Sequence, residues 1–258
     1  MPAHYAHYRF GTQLLPLIPE DVRRCIRRHR ALFDVGLHGP DLFFNYSPLH
    51  HTPIGDLGHR YHTLTGRTYF TRICRKIHPD EASQAFLWGL LSHYCLDTVC
   101  HPFVIRSTDD RTRYHTELEA EFERFLLETD GLPATFDFTA HMHLTPEECA
   151  VAAQFYPPAT GAQISRALHN MVLFSKLFAA PDGPRRQVTE NVLELVSPSI
   201  AHIVIPLEPN PNCQTLNGEF LALYEKALSL YPGMLAQLQA HLETGAPLGA
   251  EFDLTFDG

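Results

Sequence analysis

The sequence predicts an all-α protein. Apolar residues recur at helical spacing along most of its 258 residues, β-branched runs are scarce, and prolines, glycines and capping residues punctuate it at helix-length intervals. A first helix over about 3–17 stops near Pro16 and Pro19, and Pro19 suits the first turn of a second, about 20–34. That helix carries Arg23, Arg24, Arg27, Arg28 and Arg30, a solvated face by composition. Gly36 and Gly39-Pro40 mark a turn, about 41–56 reads as loop, and a third helix covers about 57–77. The next, about 79–101, opens at Pro79 and is expected to end before Pro102, which cannot donate to the helix ladder. Its Ala82, Phe86, Leu87, Leu90, Leu91, Cys95, Leu96 and Val99 point nearly all round the axis, the pattern of a helix buried at the centre of a domain. A helix over about 112–129 follows. Thr145-Pro146-Glu147-Glu148 is a capping box that starts another at about 146–156. Further helices are expected at about 161–179, 186–196 and 216–243, with a long loop from Ile203 to Asn217. Ile203-Val204-Ile205 is the one strand-like run. With no linker, low-complexity tract or internal repeat, residues 1–258 read as a single compact domain.

The formal net charge of −9 disfavours non-specific nucleic-acid binding, which relies on lysine and arginine to displace counterions, and no stable nucleic-acid complex is expected. Nothing points to a protein partner. No run of about 18 apolar residues is present to span a membrane. The first residues lack a basic region followed by an apolar stretch, and the six cysteines form no CxxC pair, so a cytoplasmic protein with reduced thiols is expected. The compositional oddity is 17 histidines, many in the first half. Neutral imidazole is a common metal ligand, which directs attention to their spacing.

His93, Asp97 and His101 lie four residues apart within the apolar helix. Each step of four advances about 40° around the axis, so the three form one narrow stripe. An ionised aspartate in such surroundings is costly unless paired or metal-bound, and two histidines beside it supply the nitrogen ligands that zinc favours. A hydrogen-bonded core network is the alternative. His115 and Glu119 repeat the device on the following helix, a spacing also common on solvated helices. Asp41 follows Gly39-Pro40 on a tight turn, where turn duty is the plainer role. His59 and His62, like His4 and His7, are one turn apart on their helices.

In this order, His7, Asp41, His62, His93, Asp97, His101, His115 and Glu119 resemble the bacterial zinc-dependent phospholipase C family, which shares its fold with the P1/S1 nucleases. The resemblance covers roughly residues 1–125 by motif and continues more loosely through Asn210-Pro211 and the stretch from Glu219 to Glu225. It implies a single multi-helix domain of the phospholipase C/P1 nuclease type holding two or three zinc ions. Asp41, His62, His93 and Asp97 would hold one zinc; His101, His115 and Glu119 a second. Asp97 would bridge to a third, which His7 also binds. Secreted relatives complete that third site with an N-terminal tryptophan. Here Pro2 or His4 takes its place, or the site is weak or empty. The step from Asp97 to His101 is also shorter than in those enzymes, and His59 is the alternative to His62. Two zinc ions against Asp41, Asp97 and Glu119 leave a net charge of +1, three leave +3, and either attracts a phosphate ester. The implied activity is hydrolysis of a phosphodiester, a phospholipid or a soluble one, by metal-activated water, with Asp41 as ligand and general base. Phe43, Phe44, Tyr46 and Tyr61 are candidates for an aromatic cage around choline. A nuclease on the same scaffold, using the Arg23–Arg30 cluster as a groove, and a non-catalytic zinc-stabilised helical protein are the alternatives.

Overall fold

The stretch that is apolar on every side becomes the axis of the molecule. The computed structural model describes residues 4–47, 50–77, 80–108, 114–179, 183–196 and 201–258. In it the chain runs through α1 (His4–Leu14), α2 (Glu20–Arg28), α3 (Arg30–Gly36), α4 (Leu57–His62), α5 (Gly66–Cys74) and α6 (Glu81–Thr108). It continues through α7 (His115–Thr129), α8 (Pro146–Ala153), α9 (Gly161–Phe178), α10 (Pro184–Val196) and α11 (Asn217–Thr244). Among the described residues no strand forms. Thr65 and Thr255 make one isolated antiparallel bridge, and Ile203–Ile205 is irregular backbone instead of a strand.

Helix α6 is buried on all sides because its neighbours cover it: α3 and α11 pack most extensively, with α1, α2, α7 and α8 completing the sheath. The α3 contact is close enough to require glycine on both helices. A Cβ at Gly89 would collide with the Phe33 carbonyl, and one at Gly36 would lie 2.6 Å from the Phe86 carbonyl oxygen. On the other side Tyr231 of α11 donates to the Trp88 carbonyl (2.8 Å), satisfying a phenol that burial would otherwise strand.

Three boundaries differ from the sequence expectation. Pro102 does not end α6; the helix runs on to Thr108. A proline inside a helix costs about 3 kcal/mol, and here the burial of Phe103 and Val104, with Phe103 edge-on to Phe220 of α11, opposes that cost. The expected helix 57–77 is two, broken at Thr63–Thr65, where the Thr65 hydroxyl accepts from the Thr68 N–H and caps α5. The expected helix 20–34 is likewise two, parted at His29 (φ −123°, ψ 43°), and Pro19 is the residue before α2 and not its first. Within the expected loop 41–56, residues Gly39–Asn45 form a 3-10 helix. Among the described residues no helix is long and apolar enough to cross a membrane.

Candidate metal centre

Asp97 sits at the meeting point of four elements. Its Oδ2 lies 3.2 Å from Nε2 of His93, one turn back on α6, and both side chains are fully buried. Helix α1 crosses beside α6 and brings His7, whose Nε2 is 3.2 Å from Asp97 Oδ1 and whose ring stacks on His93. The 3-10 helix brings Asp41, and the C-terminal turn of α4 brings His62. His62 Nε2 lies 3.2 Å from Asp41 Oδ1 and 3.8 Å from Asp97 Oδ2. The backbone before Asp41 passes so close to His93 that only glycine fits: Gly39 has φ +51°, and a Cβ there would fall inside contact distance of the imidazole. His62 Nδ1 is 2.8 Å from the Gly58 carbonyl, so it donates there and Nε2 is the nitrogen that faces the carboxylates.

A second group adjoins the first. His115 Nε2 is 2.9 Å from Glu119 Oε1, one turn on along α7, and 3.2 Å from His101 Nε2. His101 Nε2 is 3.7 Å from the same Glu119 oxygen. Three sets of ligand atoms therefore converge: His7, His93 and Asp97; Asp41, His62 and His93; His101, His115 and Glu119. Nitrogen and oxygen ligands about 2 Å from a shared tetrahedral zinc stand roughly 3.3 Å apart, and the separations above bracket that value. Neither ring nitrogen of His7 or His93 and neither oxygen of Asp97 has a hydrogen bond among the described residues. Buried polar atoms without partners are costly, and cations shared among them would remove the cost. The donor set, imidazole and carboxylate without thiolate, suits zinc.

The electrostatics agree. Burial opposes ionisation of Asp97, but His93, His7 and His62 outweigh it and hold the carboxyl well below the usual range. Asp41 is lowered in the same way, burial being overcome by His93 and His62. Burial also holds down Glu119 ionisation, yet His115 and His101 bring its carboxyl to about 2. Burial pulls His62 down, but Asp41 and Asp97 push it up to about 10. His93, where burial wins, falls to about 4 and is a neutral imidazole. Protons on imidazoles thus balance the carboxylates, a role that a bound cation would take over.

All eight sequence-derived candidates come together, and His62, not the exposed His59, stands beside Asp41. His4 does not join His7: it is buried one turn away, with Nδ1 3.0 Å from Ser175 Oγ. Pro2 lies outside the described residues. Sequence reasoning missed Asp257, whose Oδ1 is 2.8 Å from His101 Nδ1, and Phe256, packed against the His62 and His93 rings. It also missed Glu123, which accepts from the Tyr5 and Ala6 N–H groups and so fixes the first turn of α1. Only the Glu119–Glu123 spacing of one turn could have signalled it.

The second group opens into a pocket of about 170 Å³ walled by Phe44, His59, Thr116 and Asp257. Larger hollows of about 340 and 480 Å³ contain none of the candidate ligands. Of the proposed choline cage only Phe44 reaches this pocket. Phe43 and Tyr61 are core, and Tyr46 lies under the Arg166 guanidinium. The arginine face of α2 and α3 is largely committed to local carboxylates: Arg23 and Arg27 to Glu20, Arg28 to Glu81, Arg30 to Asp34.

No curated protein and no solved structure matches the chain. The family described as zinc-dependent phospholipase C matches residues 6–160, more than half of the 258, and the matched span contains every histidine and carboxylate of the three converging sets. Its zinc dependence suits the donors gathered around Asp97, and the all-α architecture is that of the phospholipase C/P1 nuclease fold. The chain belongs to the zinc-dependent phospholipase C family.

Proposed function

We propose that the protein is a zinc-dependent phosphodiesterase of phospholipase C type, folded as one domain over residues 1–258, that hydrolyses a phospholipid or a soluble phosphodiester with the help of two or three zinc ions. The observation that carries this reading is the convergence of three ligand sets around Asp97 and Glu119 at zinc-like separations, the outer set lining an open pocket. Bound zinc supplies Lewis acidity toward a phosphoryl oxygen and eases deprotonation of water. His7, Asp41, His62, His93 and Asp97 form the inner ligands, and His101, His115 and Glu119 the outer ones. Asp41 acts as ligand first. Ionised and 3.2 Å from His62, it can also accept a hydrogen bond or a proton from the attacking water as general base. With Phe44 as the one phenyl or phenol ring among the described residues of the pocket wall, recognition of a quaternary ammonium is not favoured, and the leaving group need not be choline. A cytoplasmic location fits the six cysteines, all without a disulfide.

The test is elemental analysis of protein purified without added metal, paired with hydrolysis of bis(p-nitrophenyl) phosphate and a chromogenic phosphocholine ester. The expected result is two or three zinc ions per chain and hydrolysis abolished by chelator. Asp97→Asn should lose at least one ion and lower turnover by more than about 100-fold, beyond the range seen when only a ligand's supporting partner is changed. Less than one zinc per chain, unaffected by Asp97→Asn, overturns the reading.

A further inference from the structure

Residues 248–258 lie far outside the span that the family matches, yet they return to the metal centre. The segment is pinned along its length. Arg67 donates to the Leu248 and Gly249 carbonyls, and the Tyr94 hydroxyl reaches the Glu251 and Leu254 carbonyls, both at 2.9 Å. Gly66 N–H donates to the Leu254 carbonyl (2.9 Å), and Thr255 bridges to Thr65. Phe256 is fully buried, its ring 5.8 Å from that of His62 and 6.0 Å from that of His93. These anchors leave the next residue little freedom. Asp257 meets α6 at His101, with Oδ1 2.8 Å from His101 Nδ1.

We infer that Asp257 is the positioning residue for His101. An imidazole has two nitrogens, and which one offers a lone pair is decided by what the other holds. With its proton on Nδ1, directed to the Asp257 carboxylate, His101 presents the Nε2 lone pair toward His115 and Glu119, where Nε2 already lies. A carboxylate behind a ligating histidine fixes the ring and raises its basicity. His101 needs this support: it is buried, its Nδ1 has no aligned hydrogen bond among the described residues, and the Asp257 carboxylate 2.8 Å away is its ion-pair partner. Asp257 itself is 42% exposed, so its contribution is orientation and not a buried charge. The outer zinc site is therefore completed by a segment on the far side of the chain from the matched region, and its affinity depends on that segment staying docked.

The inference rests on the reading that His101, His115 and Glu119 hold zinc, and the experiment separates the two. Zinc is withdrawn from the full-length protein with a chelator titration, and the ions remaining per chain are counted by elemental analysis for wild type, Asp257→Ala, Asp257→Asn and His115→Ala. Thermal unfolding of each chelator-stripped protein is recorded alongside. His115→Ala should lose one ion outright. Asp257→Ala should release that same ion at about 10- to 100-fold weaker chelation, keep the inner zinc, and unfold like wild type when stripped. Asp257→Asn, which retains an acceptor without the charge, should fall between. If His115→Ala loses its ion while Asp257→Ala holds zinc like wild type, the inference fails alone. If His115→Ala loses none, the ligand reading fails and the inference with it. Equal weakening of both sites in Asp257→Ala, with a lower unfolding temperature of the stripped protein, would reduce the segment to packing and overturn the positioning role.

Discussion

Gly39 is where a single methyl group would disturb two candidate ligands at once. Its backbone is in the left-handed region (φ +51°), and its α-carbon faces the His93 ring. An alanine there incurs about 1–2 kcal/mol of backbone strain and must displace either His93 or the 3-10 helix that carries Asp41. Gly39→Ala should therefore lower the unfolding temperature and also the zinc content, by at least one ion; a destabilised variant with full zinc content would show that the ring yields without consequence. At this scale the sequence was most legible where geometry is local. His93, Asp97 and His101, and His115 with Glu119, share faces because four residues nearly complete a turn. The choice of His62 over His59 was not legible, since both occupy one short helix and its orientation depends on the break that follows. Asp257 was invisible: nothing local ties it to His101, 156 positions away, and a half-exposed aspartate next to glycine looks like any solvated turn.

Helix ends show the same division between local and distant causes. The break between α4 and α5 has a local cause, the Thr65 cap, which the sequence displays but which the run of apolar residues on either side obscures. That break lets α4 stop at His62 with its ring turned inward while α5 departs in another direction. Removing the cap hydroxyl should cost about 1 kcal/mol, so Thr65→Ala is expected to lower the unfolding temperature of a chain this size by about 2–4 °C. Calorimetry of the zinc-loaded protein checks this, and an unchanged midpoint would mean that packing alone sets the break. The continuation of α6 through Pro102 has the opposite origin. Proline is a strong local stop signal, but Phe103 and Val104 are buried against partners that the local sequence does not name. Nothing in the sequence around His29 marks the division between α2 and α3.

Across the whole molecule eight of the 17 histidines gather into two groups. Five lie in the candidate metal centre. Three more, His4, His38 and His141, form a cluster drawn from α1, the turn after α3 and the segment before α8. His38 and His141 face each other Nε2 to Nε2 at 2.8 Å, so one donates and the other accepts, and Tyr8 stacks on His141. Such a pair is satisfied only while neutral enough to share one proton. Burial lowers His4 and His141 to about 3, the nearby Asp41 carboxylate only partly offsetting it for His4 and the Phe138 backbone only partly for His141; Arg30 and His143 push His141 further down. Burial and the facing imidazoles hold His38 well below its ordinary range. In the unfolded chain each titrates near its usual 6.5. The unfolded state thus gains protons first as the pH falls. The stability these groups contribute is complete above about pH 6.5 and is lost progressively toward pH 3. His4 and His141 each contribute a slope of about 1.4 kcal/mol per pH unit in that window. His141→Gln removes one titrating group while its amide can still meet His38. In urea titrations of the chelator-stripped proteins the variant's stability should fall less steeply than wild type between pH 6.5 and 4.5, by about that slope, whatever constant offset the substitution brings. Parallel pH curves would mean that His141 titrates alike in the folded and unfolded chain, and that the cluster contributes packing without pH sensitivity.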